Sequence, residues 1–131
     1  MIREFRVALT VPDFEAALRF YRDALGLETR QQWQDAQGSG VILELPRATL
    51  ELLDRPQTDA VDRIETGALQ PGTLRLAVQV DALEPSLDAL ERAGALRLYP
   101  PVHTPWGHHN ARLETPDFRP LTVFEPEGVV P

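Results

Sequence analysis

Cysteine and lysine are both absent from this chain of 131 residues. The lack of cysteine excludes a disulfide framework, a thiolate metal site and a cysteine nucleophile. The lack of lysine excludes Schiff-base chemistry on a lysine side chain. No stretch approaches the ~20 apolar residues that a membrane span needs. The first residues, MIREFRVALTVPD, do not resemble a signal peptide, because charged residues alternate with apolar ones. A cytoplasmic location is therefore predicted.

Basic residues are also scarce relative to acidic ones. Thirteen basic and twenty acidic residues give a formal net charge of −7. Nucleic-acid binding is not expected, since it usually needs a basic face. Hydrophobic residues make up 43% of the chain and charged residues 25%, as in soluble globular proteins. The length fits one domain over residues 1–131.

One order of elements occurs twice along the chain. A segment that alternates like a strand is followed by an aspartate, an amphipathic helix, a glycine and three extended segments. Asp13 and Asp81 are 68 residues apart, as are Gly26 and Gly94. Such an internal repeat dictates the architecture. The predicted strands in order are 3–11, 27–35, 40–45 and 48–54 in the first repeat, and 74–80, 96–103, 108–115 and 119–125 in the second.

These patterns predict an α+β fold made of two βαβββ repeats. Repeat one covers about residues 2–54 and repeat two about residues 73–125. Residues 55–72 have no clear period and are predicted to be a connector, with a short helical turn around residues 61–65. A connector of this length is unusual in a small domain unless it is a linker or functional.

The order of several motifs resembles the vicinal-oxygen-chelate superfamily, which includes glyoxalase I, extradiol dioxygenases and bleomycin-resistance proteins. The motifs are FYRDALGLE, ATLELLD, LRLAVQVD, TPWG and PDFRPLTVFE, and the resemblance covers nearly the whole chain. It implies curved mixed sheets around a shared groove, and in many members a homodimer. It does not specify a reaction, because the superfamily hosts several chemistries.

The resemblance also implies four groove positions at which the metal enzymes of the superfamily carry histidine or glutamate. In this chain they fall on Arg6, Glu51, Arg75 and Thr122. Arginine has no lone pair for a cation, and one glutamate cannot hold a transition metal in a defined geometry. The sequence therefore predicts a member of the superfamily with no metal and no other cofactor.

The alternation of the predicted strands places Arg6 and Arg75 on the concave side, where Glu51 should also project. We expect Glu51 to bridge the two arginines, because an unpaired buried charge is costly. Two roles remain open for this cluster. It either joins the two modules, or leaves one guanidinium free to bind a carboxylate or phosphate of a ligand.

Four other side chains are candidates for the groove wall. Trp33 and Trp106 are the only tryptophans, and aromatic side chains can stack on a planar ligand. Phe124 alternates with Thr122 and shares its predicted face. His108 and His109 are adjacent on a strand and point to opposite faces, so they cannot chelate one ion together. Ordinary packing or a surface position is the alternative for each candidate.

The predicted function is small-molecule binding of the bleomycin-resistance type, without a metal. The candidate ligand-binding residues are Arg6, Glu51, Arg75, Thr122, Trp33, Phe124, Trp106 and His108. The alternative is a lyase or dioxygenase acting on a small substrate in the same groove. In a metal-free enzyme Glu51 would be the base, but two nearby arginines would lower its pKa and oppose that role.

Overall fold

The computed structural model describes residues 3–4, 6–49 and 51–128. Three α-helices and seven β-strands are found in these ranges. The helices are α1 (Phe14–Ala17), which continues as a π-helix (Leu18–Ala24), α2 (Arg55–Thr66) and α3 (Leu83–Arg92). The strands are β1 (Thr29–Asp35), β2 (Gly38–Leu43), β3 (Leu76–Gln79), β4 (Leu96–Arg97), β5 (Val102–His103), β6 (His108–Glu114) and β7 (Pro120–Pro126).

The strands form two sheets. β1 and β2 form an antiparallel hairpin, and the other strands form a mixed sheet in the order β3-β7-β6-β4, with β5 also pairing with β6. Only the β3–β7 pair is parallel. The predicted α+β fold is confirmed. None of the described helices combines the length and apolar character needed to cross a membrane.

The second repeat folds as the sequence predicts. Its strand, helix and last two strands appear as β3, α3, β6 and β7. The predicted segment 96–103 is divided into β4 and β5. Pro100 and Pro101 lie between the two strands, and proline cannot donate a ladder hydrogen bond.

The first repeat matches only in its middle. Segments 27–35 and 40–45 appear as the β1–β2 hairpin, but the described residues of 3–11 and 48–54 are not in strands. The prediction of strands there was wrong for these described residues; residues 5 and 50 lie outside the description. Alternation selects a face for a strand but supplies no partner, and a strand also needs a neighbour for its backbone groups.

The predicted connector contains a complete helix, α2, so the expectation of one helical turn was wrong. The Asp54 carboxylate caps its start by accepting a hydrogen bond from the backbone N–H of Gln57 at 3.0 Å. Pro56 lies in the first turn, and Gly67 ends the helix with a φ of 74°. These are ordinary start and stop signals. The buried face of α2 is mainly polar, with Asp62, Glu65 and Thr66 beside Val61, so an apolar period could not reveal it.

The two faces of the five-stranded sheet have different partners. Its apolar face packs against α3 and the π-helix, and the buried residues of this core include Phe20, Leu83, Leu87, Leu90, Ala111, Leu113, Leu121 and Val123. The opposite face carries Asn110, Arg112 and Thr122, and α2 covers it through Glu65. One side of the sheet is thus an apolar core and the other a polar layer.

The turn before β7 places a large side chain in a backbone conformation that favours glycine. Phe118 has a φ of 63°, and it is 75% exposed. The neighbouring Asp117 stabilises the turn by accepting hydrogen bonds from Tyr21, Thr115 and Arg119 at 2.7–2.9 Å. Burial and the hydrogen bond to Asp117 raise the pKa of the Tyr21 phenol, which keeps it a donor.

Replacing Phe118 with glycine should raise the free energy of unfolding by about 1 kcal/mol, because a left-handed conformation costs an L-residue about that much. The exposed ring loses little packing. Phe118→Ala is the matched control: it removes the same ring but keeps the Cβ atom, so no comparable gain is expected. Urea denaturation of both variants measures the difference. An equal change in both would show that the ring, and not the backbone angle, sets the effect.

Candidate functional site

A cavity of about 240 Å³ lies between α2 and the polar face of the sheet. Six of the eight side chains predicted to bind a ligand line it: Glu51, Arg75, Thr122, Phe124, Trp106 and His108. The other lining residues are Leu53, Gln57, Val61, Glu65, Ala77 and Asn110. The cavity therefore brings together residues from α2, from β3, β6 and β7, and from the segment before α2.

Arg6 does not line the cavity. Its side chain is half exposed and pairs with Glu4, with Nη2 2.8 Å from Oε2. The predicted bridge from Arg6 through Glu51 to Arg75 is therefore not formed. Because residues 6–11 are not in a strand, nothing fixes Arg6 to the concave face. Only the second half of the bridge exists, between Arg75 and Glu51 at 3.5 Å.

Trp33 also lies outside the cavity. Its ring packs over Gly40 on the facing strand of the β1–β2 hairpin, so closely that a Cβ atom at Gly40 would overlap it. Trp33 and Gly40 are directly paired in the register of that hairpin. The structure thus places this tryptophan in hairpin packing and leaves Trp106 as the tryptophan at the cavity.

A continuous series of hydrogen bonds forms the polar floor of the cavity. Arg75 Nη1 donates to Thr122 Oγ1 at 2.8 Å, and the Thr122 hydroxyl donates to Glu65 Oε1 at 2.6 Å. Glu65 Oε2 accepts from the Asn110 amide at 3.0 Å. Glu65 therefore fixes the orientations of two floor residues that face the cavity.

Arg112 neutralises the carboxylates behind this floor. Its Nε lies 2.9 Å from Glu65 Oε1, and its Nη2 lies 3.1 Å from Asp62 Oδ1. The Arg112 and Glu65 side chains are each only 1% exposed. Together, Asp62, Glu65 and Arg112 form what we call the buried triad. A buried charge needs such pairing because desolvation is otherwise too costly.

Sequence reasoning missed the buried triad. Arg112 shares a face of β6 with His108 and Asn110, as the period of two requires, but no role was predicted for it. Asp62 and Glu65 were assigned to the connector, within its predicted short helical turn, and neither was given a role. One available signal was their spacing: residues three apart share one side of a helix, so recognising α2 would have aligned both carboxylates.

Asn110 has one satisfied and one unsatisfied polar group. The residue is 3% exposed, and its Oδ1 accepts no hydrogen bond from the part of the chain that the structure describes. The contact with Glu65 assigns the amide orientation, because a flipped amide would set its oxygen against a carboxylate oxygen. The unsatisfied acceptor thus belongs to a residue of the cavity wall.

Aromatic rings form a second wall. His108 and Phe124 stack with their ring centroids 5.0 Å apart and their planes 10° apart. Trp106, in the turn before β6, is partly exposed and also lines the cavity. His109 points to the other face, as predicted, and stacks on His103 outside the cavity. The wall offers flat surfaces of the kind that binds planar ligands.

The donor set at the four positions implied by the resemblance does not fit a divalent metal. Arg6 lies elsewhere, and the Arg75 guanidinium contacts both Thr122 and Glu51, where it would repel a cation. Among the described residues, no group of three or more histidine, aspartate or glutamate side chains is arranged to hold a metal ion. The positively charged guanidinium of Arg75 lies between Thr122 and Glu51, where a metal ion would otherwise have to bind.

Comparisons with known proteins agree with this fold. The model of the Glyoxalase/Bleomycin resistance protein/Dioxygenase superfamily matches residues 5–130. A hypothetical protein from S. aureus is 19% identical, with a TM-score of 0.65 and 95% of each chain covered. A superfamily member from Sphaerobacter thermophilus is 24% identical, with a TM-score of 0.56, covering 88% of this chain and 90% of that one.

A third similar structure is named as an enzyme. It is lactoylglutathione lyase from Agrobacterium tumefaciens, 21% identical, with a TM-score of 0.56, covering 91% of this chain and 90% of that one. No curated protein sequence matches the chain. At such identities the likeness of the structures indicates a shared fold, and function has to be argued from the site.

Proposed function

We propose that this chain, which belongs to the Glyoxalase/Bleomycin resistance protein/Dioxygenase superfamily, binds a small organic acid in its cavity without a metal. The observation that carries the proposal is the placement of Arg75. Its guanidinium lies at the cavity, and its ion partner Glu51 is 3.5 Å away with a side chain that is 69% exposed. An incoming carboxylate or phosphate can displace so weak a partner, since exposed ion pairs contribute little.

The fixed position of Arg75 supports this role. Thr122 accepts one hydrogen bond from it and is itself held by the buried Glu65. A guanidinium that is already oriented loses less entropy when it grips an anion. Arginine can also bind a carboxylate or phosphate through two parallel hydrogen bonds.

The size and wall of the cavity favour a small planar molecule. An enclosed cavity of about 150 Å³ is known to accept benzene, so about 240 Å³ suits one substituted ring. The stacked pair of His108 and Phe124 gives such a ring a flat surface to contact. The proposed ligand is therefore an aromatic or similarly flat acid.

The test combines titration calorimetry with metal analysis. Benzoate and phenyl phosphate are the probes. We expect at least one to bind the metal-free protein, and Arg75→Met to weaken its binding at least about tenfold, since a charged hydrogen bond contributes about 1.5–3 kcal/mol. Arg63→Met, which removes an exposed arginine of α2, is the matched control and should bind as the unchanged protein does.

Three results would contradict the proposal. The first is the absence of binding for both acids, and the second is equal binding by the Arg75 and Arg63 variants. The third is a divalent metal that is retained in stoichiometric amount through dialysis. This third result would favour the alternative, a lyase or dioxygenase that uses ligands other than the four implied positions.

Two expectations from the sequence stay predictions. The resemblance implies a homodimer, which sedimentation equilibrium can test directly. The composition implies a cytoplasmic location, which fractionation of cells can test. The proposal for the cavity rests on neither prediction.

A further inference from the structure

We infer that the ligand of this cavity is a zwitterion, an acid with an ammonium group beside its acidic group, and that Glu51 binds the ammonium. The inference rests on the proposed function and narrows its ligand class. Arg75 binds the acid, and the glutamate that the acid displaces becomes the acceptor for the amine. Glu51 then determines specificity, in addition to being the ion partner of Arg75 in the free protein.

The two members of the Arg75–Glu51 pair are held with different firmness. The Arg75 side chain is 21% exposed and donates to Thr122 Oγ1 at 2.8 Å. The Glu51 side chain is 69% exposed and lies in residues 51–54, which are neither helix nor strand. Its contact with Arg75, at 3.5 Å, is long for a charged hydrogen bond. An acid therefore displaces the glutamate and leaves the arginine in place, and the freed carboxylate belongs to a residue of the cavity wall.

The charges already at the cavity floor oppose an acid that brings no cation. The buried triad holds two carboxylates and one guanidinium, so it carries one negative charge in excess. The Arg75–Glu51 pair is neutral, as is the His108 ring while it is unprotonated. A simple acid adds a second uncompensated negative charge, and like charges side by side in a binding site are costly. A zwitterion adds no net charge, so it gains the attraction of Arg75 without that repulsion.

The geometry of the site favours an acid and an amine on the same carbon atom. Arg75 Nη2 and Glu51 Oε1 are 3.5 Å apart, so the two ligand groups that replace this contact have to be close neighbours. Thr122, which holds Arg75, and Phe124, which stacks on His108, are two residues apart on β7. Such residues are separated by roughly 7 Å along a strand, which leaves room for the amine-bearing carbon between acid and ring. The ligand class that fits is an aromatic α-amino acid.

Titration calorimetry with three probes of one carbon skeleton tests the inference. Phenylalanine, used as both enantiomers, has the acid and the amine, whereas 3-phenylpropionate lacks the amine and 2-phenylethylamine lacks the acid. We expect one enantiomer of phenylalanine to bind about fivefold or more tightly than either partial analogue. This factor lies between the effects of an exposed ion pair and of a charged hydrogen bond. Benzoate, a probe of the proposed function, is measured on the same samples.

Glu51→Gln removes the carboxylate and keeps the size of the side chain. This variant should lose the preference for phenylalanine over 3-phenylpropionate, because neither the attraction for the amine nor the repulsion of the lone acid remains. Since Glu51 is exposed, the substitution should leave the fold intact. Glu28→Gln, which changes an exposed glutamate that does not line the cavity, is the matched control and should keep the full preference.

The outcomes separate this inference from the proposed function. Equal or tighter binding of 3-phenylpropionate by the unchanged protein would overturn the inference while the proposed function stands, as would binding of benzoate without binding of phenylalanine. A preference for phenylalanine that persists in Glu51→Gln would also overturn it. Absence of binding for every acid, or tighter binding of 2-phenylethylamine than of all the acids, would overturn both.

Discussion

Replacing Arg112 with methionine should lower the free energy of unfolding by about 3–5 kcal/mol, the usual cost of removing one partner from a buried ion pair. Asp62 and Glu65 would remain in the interior without a counter-charge, since Arg112 contacts both, at 3.1 and 2.9 Å. Methionine fills much of the volume of arginine, so little of the loss in stability comes from an empty space. Most of it comes from the missing positive charge. Urea denaturation at neutral pH, followed by circular dichroism, gives the value.

Arg97→Met is the matched control for that measurement. Arg97 also faces several carboxylates, those of Glu84, Asp88 and Glu91, at 2.6–3.7 Å. Its partners are 39–59% exposed, so water screens the interaction and a change of about 1 kcal/mol or less is expected. Similar losses of unfolding free energy in the Arg112 and Arg97 variants would show that burial does not set the size of the effect.

The second repeat could be predicted because its strands pair with one another. β6 and β7 are antiparallel neighbours, and β3 lies beside β7. Alternation then decides both the face and the partner of each side chain. Thr122 and Phe124 face the cavity, as the sequence predicted. Leu121 and Val123, which alternate with them, enter the core. Once strands are known to pair, the alternation of side chains is enough to predict which residues face the core and which face the cavity.

The first repeat shows where that reasoning fails. The pattern of residues 3–11 is as regular as that of residues 74–80, yet the described part of it forms no strand. A period of two specifies which side chains share a face, but pairing also needs another edge to supply donors and acceptors. Because of this error, Arg6 was predicted to lie in the groove. In the structure its side chain pairs with Glu4 instead.

The site was predicted in part for a related reason. Arg75, Thr122, Phe124 and His108 were placed correctly at one surface by their strands, and all line the cavity. Glu65 and Asp62 could not be placed from an apolar period, because α2 packs against the sheet with its carboxylates. A helix whose buried face is polar looks like a loop when only apolar residues are counted.

The last prediction concerns why a sheet face would bury charge at all. Asp62→Leu, Glu65→Leu and Arg112→Met together remove the buried triad and leave no unpaired charge behind. Replacing a whole buried ionic cluster by apolar residues is often neutral or stabilising. We therefore expect the triple variant to recover about 2 kcal/mol or more of the stability lost in Arg112→Met alone. The recovery stays incomplete if the Asn110 amide finds no new acceptor.

Ligand binding should not recover with stability. Without Glu65, neither Thr122 nor the Asn110 amide keeps its acceptor, so Arg75 and Asn110 lose the groups that orient them. Binding of the acid probes should fall at least about tenfold, the size of one charged hydrogen bond, in a protein that folds as well as or better than Arg112→Met. Calorimetry and urea denaturation on the same samples separate the two properties. A triple variant that binds acids normally would show that the buried triad does not position the cavity floor. A variant that is folded but does not bind would indicate that the charges are kept for the geometry of the site.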